Sequence, residues 1–217
     1  MADPDLAPES VLAVLNEHGV KFVLIGGFAA VIHGSPYLTT DVDVVPEWTK
    51  ENLERLSAAL DELHARIWTA GAQAGESFEH DATFLGNANM WNLVTDHGRL
   101  DITFVPSGTT GYEDLARDSE HLEILGVDVD VAALADVIRS KEAAGREKDR
   151  VVLPVLRRIL DEERRASNRS SEDLGHVSDQ VDQRHSAHDR QGGPAEPHDR
   201  GGPPQRPDLG RESDRHE

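Results

Sequence analysis

The apolar run at residues 21–25, Lys-Phe-Val-Leu-Ile, stops at Gly26-Gly27 and gives way to the helix-prone residues 28–33, after which a second apolar run begins at Val42 behind Asp41. An apolar stretch of this length bounded by glycine reads as a buried strand, and Gly26-Gly27 reads as a tight strand-to-helix turn. The chain is thereby committed to strands that alternate with helices, which places it in the α/β (α+β) class.

The same alternation continues downstream. Residues 8–18 form an amphipathic pattern with Val11, Leu12, Val14 and Leu15 inward, and Gly19 stops it. Residues 49–64 place Leu53, Leu56, Leu60 and Leu63 on one helix face. The Gly- and Ala-rich residues 70–75 read as a loop. Residues 91–95 and 99–105 are expected to form a hairpin around Asp96-His97-Gly98, and residues 122–131 a second around Gly126. Two helices, over residues 132–144 and 147–163, close the domain, with Pro154 a point of bending. Trp48, Trp68 and Trp91 are expected in the core.

From Ser167 the apolar periodicity is lost to Ser, Asp, Arg, His, Gln, Gly and Pro, a composition that cannot bury enough surface to offset its ordering entropy. The expected organisation is one domain over residues 1–166 and a disordered low-complexity tail over 167–217. Irregularly spaced histidines in that tail (His176, His185, His188, His198 and His216) offer weak transition-metal ligands at most.

The chain has no cysteine, which removes disulfides, thiolate zinc sites and a cysteine nucleophile together. Carboxylates, imidazoles and hydroxyls are left, and they favour a hard metal held by oxygen. No apolar run reaches the length of a membrane span, and Met1-Ala-Asp-Pro-Asp5 lacks the basic start of a signal peptide, so a cytoplasmic protein without a membrane partner is expected. The net charge of -19 argues against binding nucleic acid mainly through phosphate neutralisation. Residues 1–138 hold six Lys or Arg against twenty-four Asp or Glu, whereas residues 139–165 hold nine against six, so the only basic bias lies downstream.

Asp41 and Asp43 stand two apart in a strand, so both carboxylates leave one face, while Val42, Val44 and Val45 supply the other. A divalent cation between them would relieve their repulsion, because Mg²⁺ commonly takes one or two carboxylates together with substrate phosphates. An isolated Asp-x-Asp is equally the solvent side of a half-exposed strand. Gly26-Gly27 could let a phosphate approach backbone N–H groups, or could be a bare turn. In residues 100–105, Leu100, Ile102 and Phe104 face one way and Asp101, Thr103 and Val105 the other. Asp101 can join the Asp pair if the strands are neighbours, and three such carboxylates suit a metal clamp for phosphoryl transfer.

In order and spacing, Gly26-Gly27, a short helix, Asp41-x-Asp43 and a strand Asp resemble the nucleotidyltransferase superfamily, above all its small bacterial members related to toxin–antitoxin and abortive-infection systems. The resemblance runs through residues 24–43 and into 138–149. It implies a minimal nucleotidyltransferase fold with a mixed sheet flanked by helices, and Mg²⁺ or Mn²⁺ at Asp41 and Asp43, with Asp101 as third ligand or as base. It further implies transfer of a nucleoside monophosphate from a nucleoside triphosphate such as ATP to an acceptor, with pyrophosphate released. Gly26, Gly27, Thr39 and Lys141 fall at nucleotide-binding positions, with Arg146, Lys148 and Asp149 in the same downstream motif as Lys141. Many relatives carry Arg after the turn proline where this chain has Tyr37, which removes one phosphate contact.

The acceptor is left open by the residues: transfer RNA or a protein would fit a toxin-like enzyme with a cognate antitoxin as partner. A non-catalytic module that binds nucleotide or a partner is the alternative. A small-molecule acceptor ranks below both, because the helical C-terminal part is too short for a separate acceptor-binding domain.

Overall fold

In the computed structural model, residues 6–188 are described, with the side chains of residues 72–73 and 170–188 left aside. The chain divides into two compact units, Met1–Asn168 and Arg169–Glu217. The first carries an eight-stranded mixed sheet. The order along the chain is α1 (Pro8–Glu17), β1 (Phe22–Ile25), α2 (Gly26–Ile32), β2 (Asp41–Pro46), α3 (Lys50–Glu62), β3 (Arg66–Thr69), β4 (Ala72–Glu76) and α4 (Ala82–Leu85). There follow β5 (Met90–Thr95), β6 (Gly98–Thr103), α5 (Tyr112–Ala116), β7 (Glu120–Ile124), β8 (Val127–Val131), α6 (Leu134–Ala144) and α7 (Glu147–His188).

Across the sheet the strands run β4-β3-β5-β6-β2-β1-β8-β7. β2 is antiparallel to β1 and parallel to β6, and β1 is parallel to β8. The core lies against one face. Val42, Val44, Leu93, Leu100, Ile102 and Phe104 are buried there, together with Leu12, Leu15, Leu56 and Leu60 from α1 and α3. Thr49 starts α3 by accepting a hydrogen bond from the Asn52 N–H, and the leucines at helical spacing then cover the sheet. The β5–β6 turn is fixed by Thr95, whose hydroxyl donates to the Gly98 carbonyl at 2.8 Å and accepts from the His97 N–H at 3.0 Å.

Several elements depart from the sequence reading. Of residues 70–75 only 70–71 are a turn, and the rest belong to a strand: β3 and β4 pair antiparallel, with Ile67 opposite Glu76 and Thr69 opposite Ala72. Small residues give no alternation to detect, yet their backbones extend the sheet edge as well as any others. The short helices α4 and α5 escape detection because each is too brief to show a helical period; α4 is set by Asp81, which accepts from the Phe84 N–H at 2.8 Å. Helix α2 begins on Gly26 itself rather than at Phe28. Of the tryptophans, Trp48 is 48% exposed and stacks on Phe104 from outside, so it is not core. Trp91 packs partly buried with Phe78 and Phe84, and Trp68 lies under the Arg99 guanidinium, 3.9 Å from the ring centroid.

Helix α7 contains Pro154 and runs to His188, through the first part of the segment read as a tail. The rest of that segment, including His198 and His216, lies outside the described residues, as do the side chains of His176, His185 and His188. Among the described residues no helix is long and apolar enough to cross a membrane.

Candidate active site

The sheet brings the three predicted carboxylates onto neighbouring strands. In the parallel β2–β6 ladder Asp43 stands opposite Asp101 and Asp41 opposite Arg99, and in the antiparallel β5–β6 ladder Asn92 stands opposite Asp101. Alternation does the rest: Asp41, Asp43, Asp101, Thr103 and Asn92 share the face away from the hydrophobic core.

Gly26 and Gly27 are required by the site itself. Gly26 has φ +75°, and a Cβ there would overlap the Asp43 carboxylate; a Cβ on Gly27 would come within 2.5 Å of the Thr39 hydroxyl oxygen. The Gly27 N–H donates to Asp43 Oδ2 at 3.2 Å, and Thr39 donates to Asp41 Oδ1. In this structure, then, the room left by the glycines is filled by the chain's own carboxylate and hydroxyl. Gly26→Ala is expected to cost about 1–2 kcal/mol through left-handed strain alone, with the overlap adding to it, and a thermal melt of the purified variant measures the loss.

Burial first and the charge of Asp41 second raise the Asp43 carboxyl above the ordinary range, against the Gly27 N–H and the positive charges of Lys141 and Lys148. Asp101 is pushed up to about 7, by burial first and by Asp43 second, with Arg99 pulling the other way. The Arg99 guanidinium stays 3.7 Å from Asp101 Oδ1, and that buried oxygen makes no hydrogen bond. Two partly buried carboxylates that resist ionisation side by side, one with an unsatisfied oxygen, form a donor set that a hard cation would complete. Two of the three are engaged internally, by Gly27 and by Thr39. Among the described residues no three His, Cys, Asp or Glu side chains are arranged to hold a metal ion as they stand.

Lys141 on α6 is 8% exposed and Asp149 on α7 only 1%. Asp149 receives both the Lys141 ammonium, at 3.5 Å, and the Arg146 guanidinium, at 2.9 Å. Lys148 is exposed and among the described residues makes no ion pair. Lys141, which the resemblance places at a nucleotide-binding position, is thus already charge-paired, whereas Lys148 in the same motif is uncommitted. A single sequence gives no means of ranking the two, since pairing is decided by how α6 meets α7. His33 Nε2 donates to the Ala132 carbonyl, 2.9 Å away, as a structural contact.

A cavity of about 380 Å³ collects these groups: Gly26, Gly27, Thr39, Asp41, Asp43 and Asp101 on one side and Lys141, Arg146, Lys148 and Asp149 on the other. Its remaining wall is mainly apolar, from Ala30, Leu38, Val151 and Val152 with Ser35 and Tyr37 among them, and Leu38 is 92% exposed.

Neither a protein-family model nor a curated protein matches the sequence. Among solved structures the chain is similar to a Thermotoga maritima protein provisionally assigned as a nucleotidyltransferase, at 17% identity with 73% of this chain and 97% of that one covered and a TM-score of 0.43. It is also similar to the antibiotic-resistance factor ANT(2'')-Ia, at 14% identity, 82% and 95% coverage and a TM-score of 0.47. A third similar structure is the lincomycin-bound lincosamide antibiotic adenylyltransferase LnuA, at 11% identity, 71% and 99% coverage and a TM-score of 0.49.

Proposed function

We propose that residues 1–166 form a metal-dependent nucleotidyltransferase that moves a nucleoside monophosphate from a nucleoside triphosphate to an acceptor and releases pyrophosphate. The observation that carries this reading is the two-ended cavity. One end gathers Asp41, Asp43 and Asp101 beside Lys141, Arg146 and Lys148; the other is apolar and open at Leu38. A nucleotide has the same division, with phosphates at one end and a flat, largely apolar base at the other.

Asp41, Asp43 and Asp101 would hold Mg²⁺ or Mn²⁺, which when bound supplies the positive charge that polarises the phosphate and favours ionisation of the attacking group. The chain's own residues do the rest. Lys148 meets the triphosphate as a free cation, and Lys141 and Arg146 add positive charge held in place by Asp149. Gly26 and Gly27 let Asp43 lie flat against the start of α2. Tyr37, Leu38, Val151 and Val152 take the base, and the only side chains on that wall able to hydrogen-bond to it are Ser35 and Tyr37. Asp101 serves as the third ligand or, in its place, as the base that accepts the proton of the acceptor hydroxyl.

One observation favours the second reading, a non-catalytic module that binds nucleotide or a partner: two of the three carboxylates are spent on internal hydrogen bonds. Calorimetry separates the two. The enzyme is expected to bind ATP with Mg²⁺ and at least about tenfold more weakly without it, and to transfer label from [α-³²P]ATP. Binding of ATP that is indifferent to Mg²⁺, without label transfer, would leave the module.

A further inference from the structure

A second cavity, also of about 380 Å³, meets the first at Gly26, Asp43, Asp101, Lys141 and Arg146. It lies over β5 and β6, and its own polar side chains are Asn92, Thr103, Ser107 and Ser140. All four are uncharged, and among the described residues none is engaged in a side-chain hydrogen bond. Asn92 is directly opposite Asp101 in the ladder, and Thr103 follows Asp101 by two on the same face, so both flank that carboxylate. Met90, 54% exposed, and Pro106 add an apolar rim.

Resting on the nucleotidyltransferase reading, we infer that this second cavity is the acceptor site and that the acceptor is a small, uncharged molecule bearing hydroxyl groups. Hydrogen-bonding side chains left unpaired in a concave site are what specific recognition of hydroxyls uses. The volume suits a small molecule. An RNA acceptor would need a cationic rim, but the cavity's two cations, Lys141 and Arg146, are both paired with Asp149, and residues 1–138 carry eighteen more acidic than basic residues. A separate acceptor-binding domain is unnecessary, because β5, β6 and α6 already form the walls. In the transfer the acceptor oxygen bonds to the α-phosphorus, and the bond from that phosphorus to the oxygen bridging to the β-phosphate breaks. Pyrophosphate leaves with that electron pair, and the hydroxyl proton passes to the Asp101 carboxylate.

The test gives the full-length protein [α-³²P]ATP and Mg²⁺ with one of four fractions of a bacterial extract: uncharged molecules below about 1 kDa, charged molecules of the same size, total transfer RNA, and protein. Label is expected in a new small species from the uncharged fraction. Asn92→Ala, and Ser107→Trp at an exposed loop position that the fold tolerates, are each expected to raise the KM for that fraction about tenfold or more while the KM for ATP moves less than about twofold. Label entering transfer RNA, protein or the charged fraction would overturn the inference. So would labelling of the uncharged fraction that neither variant alters, or no labelling of it by a protein that binds ATP with Mg²⁺. Absence of Mg²⁺-dependent ATP binding overturns the nucleotidyltransferase reading and this one together.

Discussion

Asp43→Asn is expected to reduce nucleotide transfer by about a thousandfold or more while raising the melting temperature of the protein. The two effects have one cause. Asp43 is raised by burial and by the charge of Asp41, and it in turn helps to push Asp101 up to about 7. An amide in its place removes a charge that the fold holds at a cost, and keeps an oxygen to accept the Gly27 N–H, so the backbone at the start of α2 stays put. Activity is lost because the amide cannot supply the negative oxygen that a divalent cation needs. Label transfer and a melting curve on the same sample check both halves; a fall in melting temperature comparable to that of Gly26→Ala would show that the carboxylate is structural.

The pH dependence follows with a definite sign. A carboxyl whose folded pKa lies above its unfolded value makes the folded state bind more protons, so the contribution of Asp101 to stability is most favourable in acid and falls as pH rises from about 4 to about 7, the full cost being present above that. Asp101→Asn removes the part of this dependence that Asp101 contributes and leaves that of Asp43. Its gain in melting temperature over the wild type is expected to be several degrees at pH 8, roughly the size that a few kcal/mol produces, and to vanish near pH 4. Mg²⁺ added at pH 8 is expected to raise the wild-type melting temperature and to leave that of Asp43→Asn unmoved. Equal shifts in the two proteins would show that the ion binds elsewhere.

Much of this site was legible in the sequence because period-two alternation is a property of any strand. Asp41 and Asp43 must leave one face, Asp101 must oppose Leu100 and Ile102, and hairpin signals at Asp96-His97-Gly98 bring β5 beside β6. What alternation cannot convey is which strands become neighbours, and the parallel pairing of β2 with β6 joins residues separated by α3, β3, β4, α4 and β5. It is this pairing that places Asp101 opposite Asp43. Asn92, Thr103, Ser107 and Ser140 carry no signal as a set for a related reason: each is an ordinary neutral residue, and only the convergence of two strands, a loop and α6 brings them together. The edge strand β4 was missed because Ala and Gly carry no pattern. For Gly26 and Gly27 the sequence leaves room for a phosphate and a bare turn equally open, and the positions of Asp43 and Thr39 give each glycine a packing reason of its own.

Asp149→Ala is expected to destabilise the domain by about 3–5 kcal/mol, the cost of leaving a buried charge without its partner. Lys141 is nearly as buried as Asp149 and has no other ion-pair partner among the described residues; Arg146, the third member, is exposed enough to turn to solvent. Removing Asp149 therefore leaves an ammonium group between α6 and the sheet, beside the backbone of the short α2. If the destabilisation comes from that stranded charge rather than from lost packing, Lys141→Met combined with Asp149→Leu should recover most of it, since an apolar pair of similar volume replaces a buried ion pair at little net cost. Melting curves of the two single variants and the double variant close the cycle, and a double variant no more stable than Asp149→Ala would refute the argument. The recovered protein also separates stability from function. Its fold is restored, but the cation facing Asp43 and both cavities is gone, so Mg²⁺-dependent ATP binding and label transfer should stay low. Restored transfer in the double variant would mean that Lys141 serves only to hold α6 to α7, and that Lys148 alone meets the triphosphate.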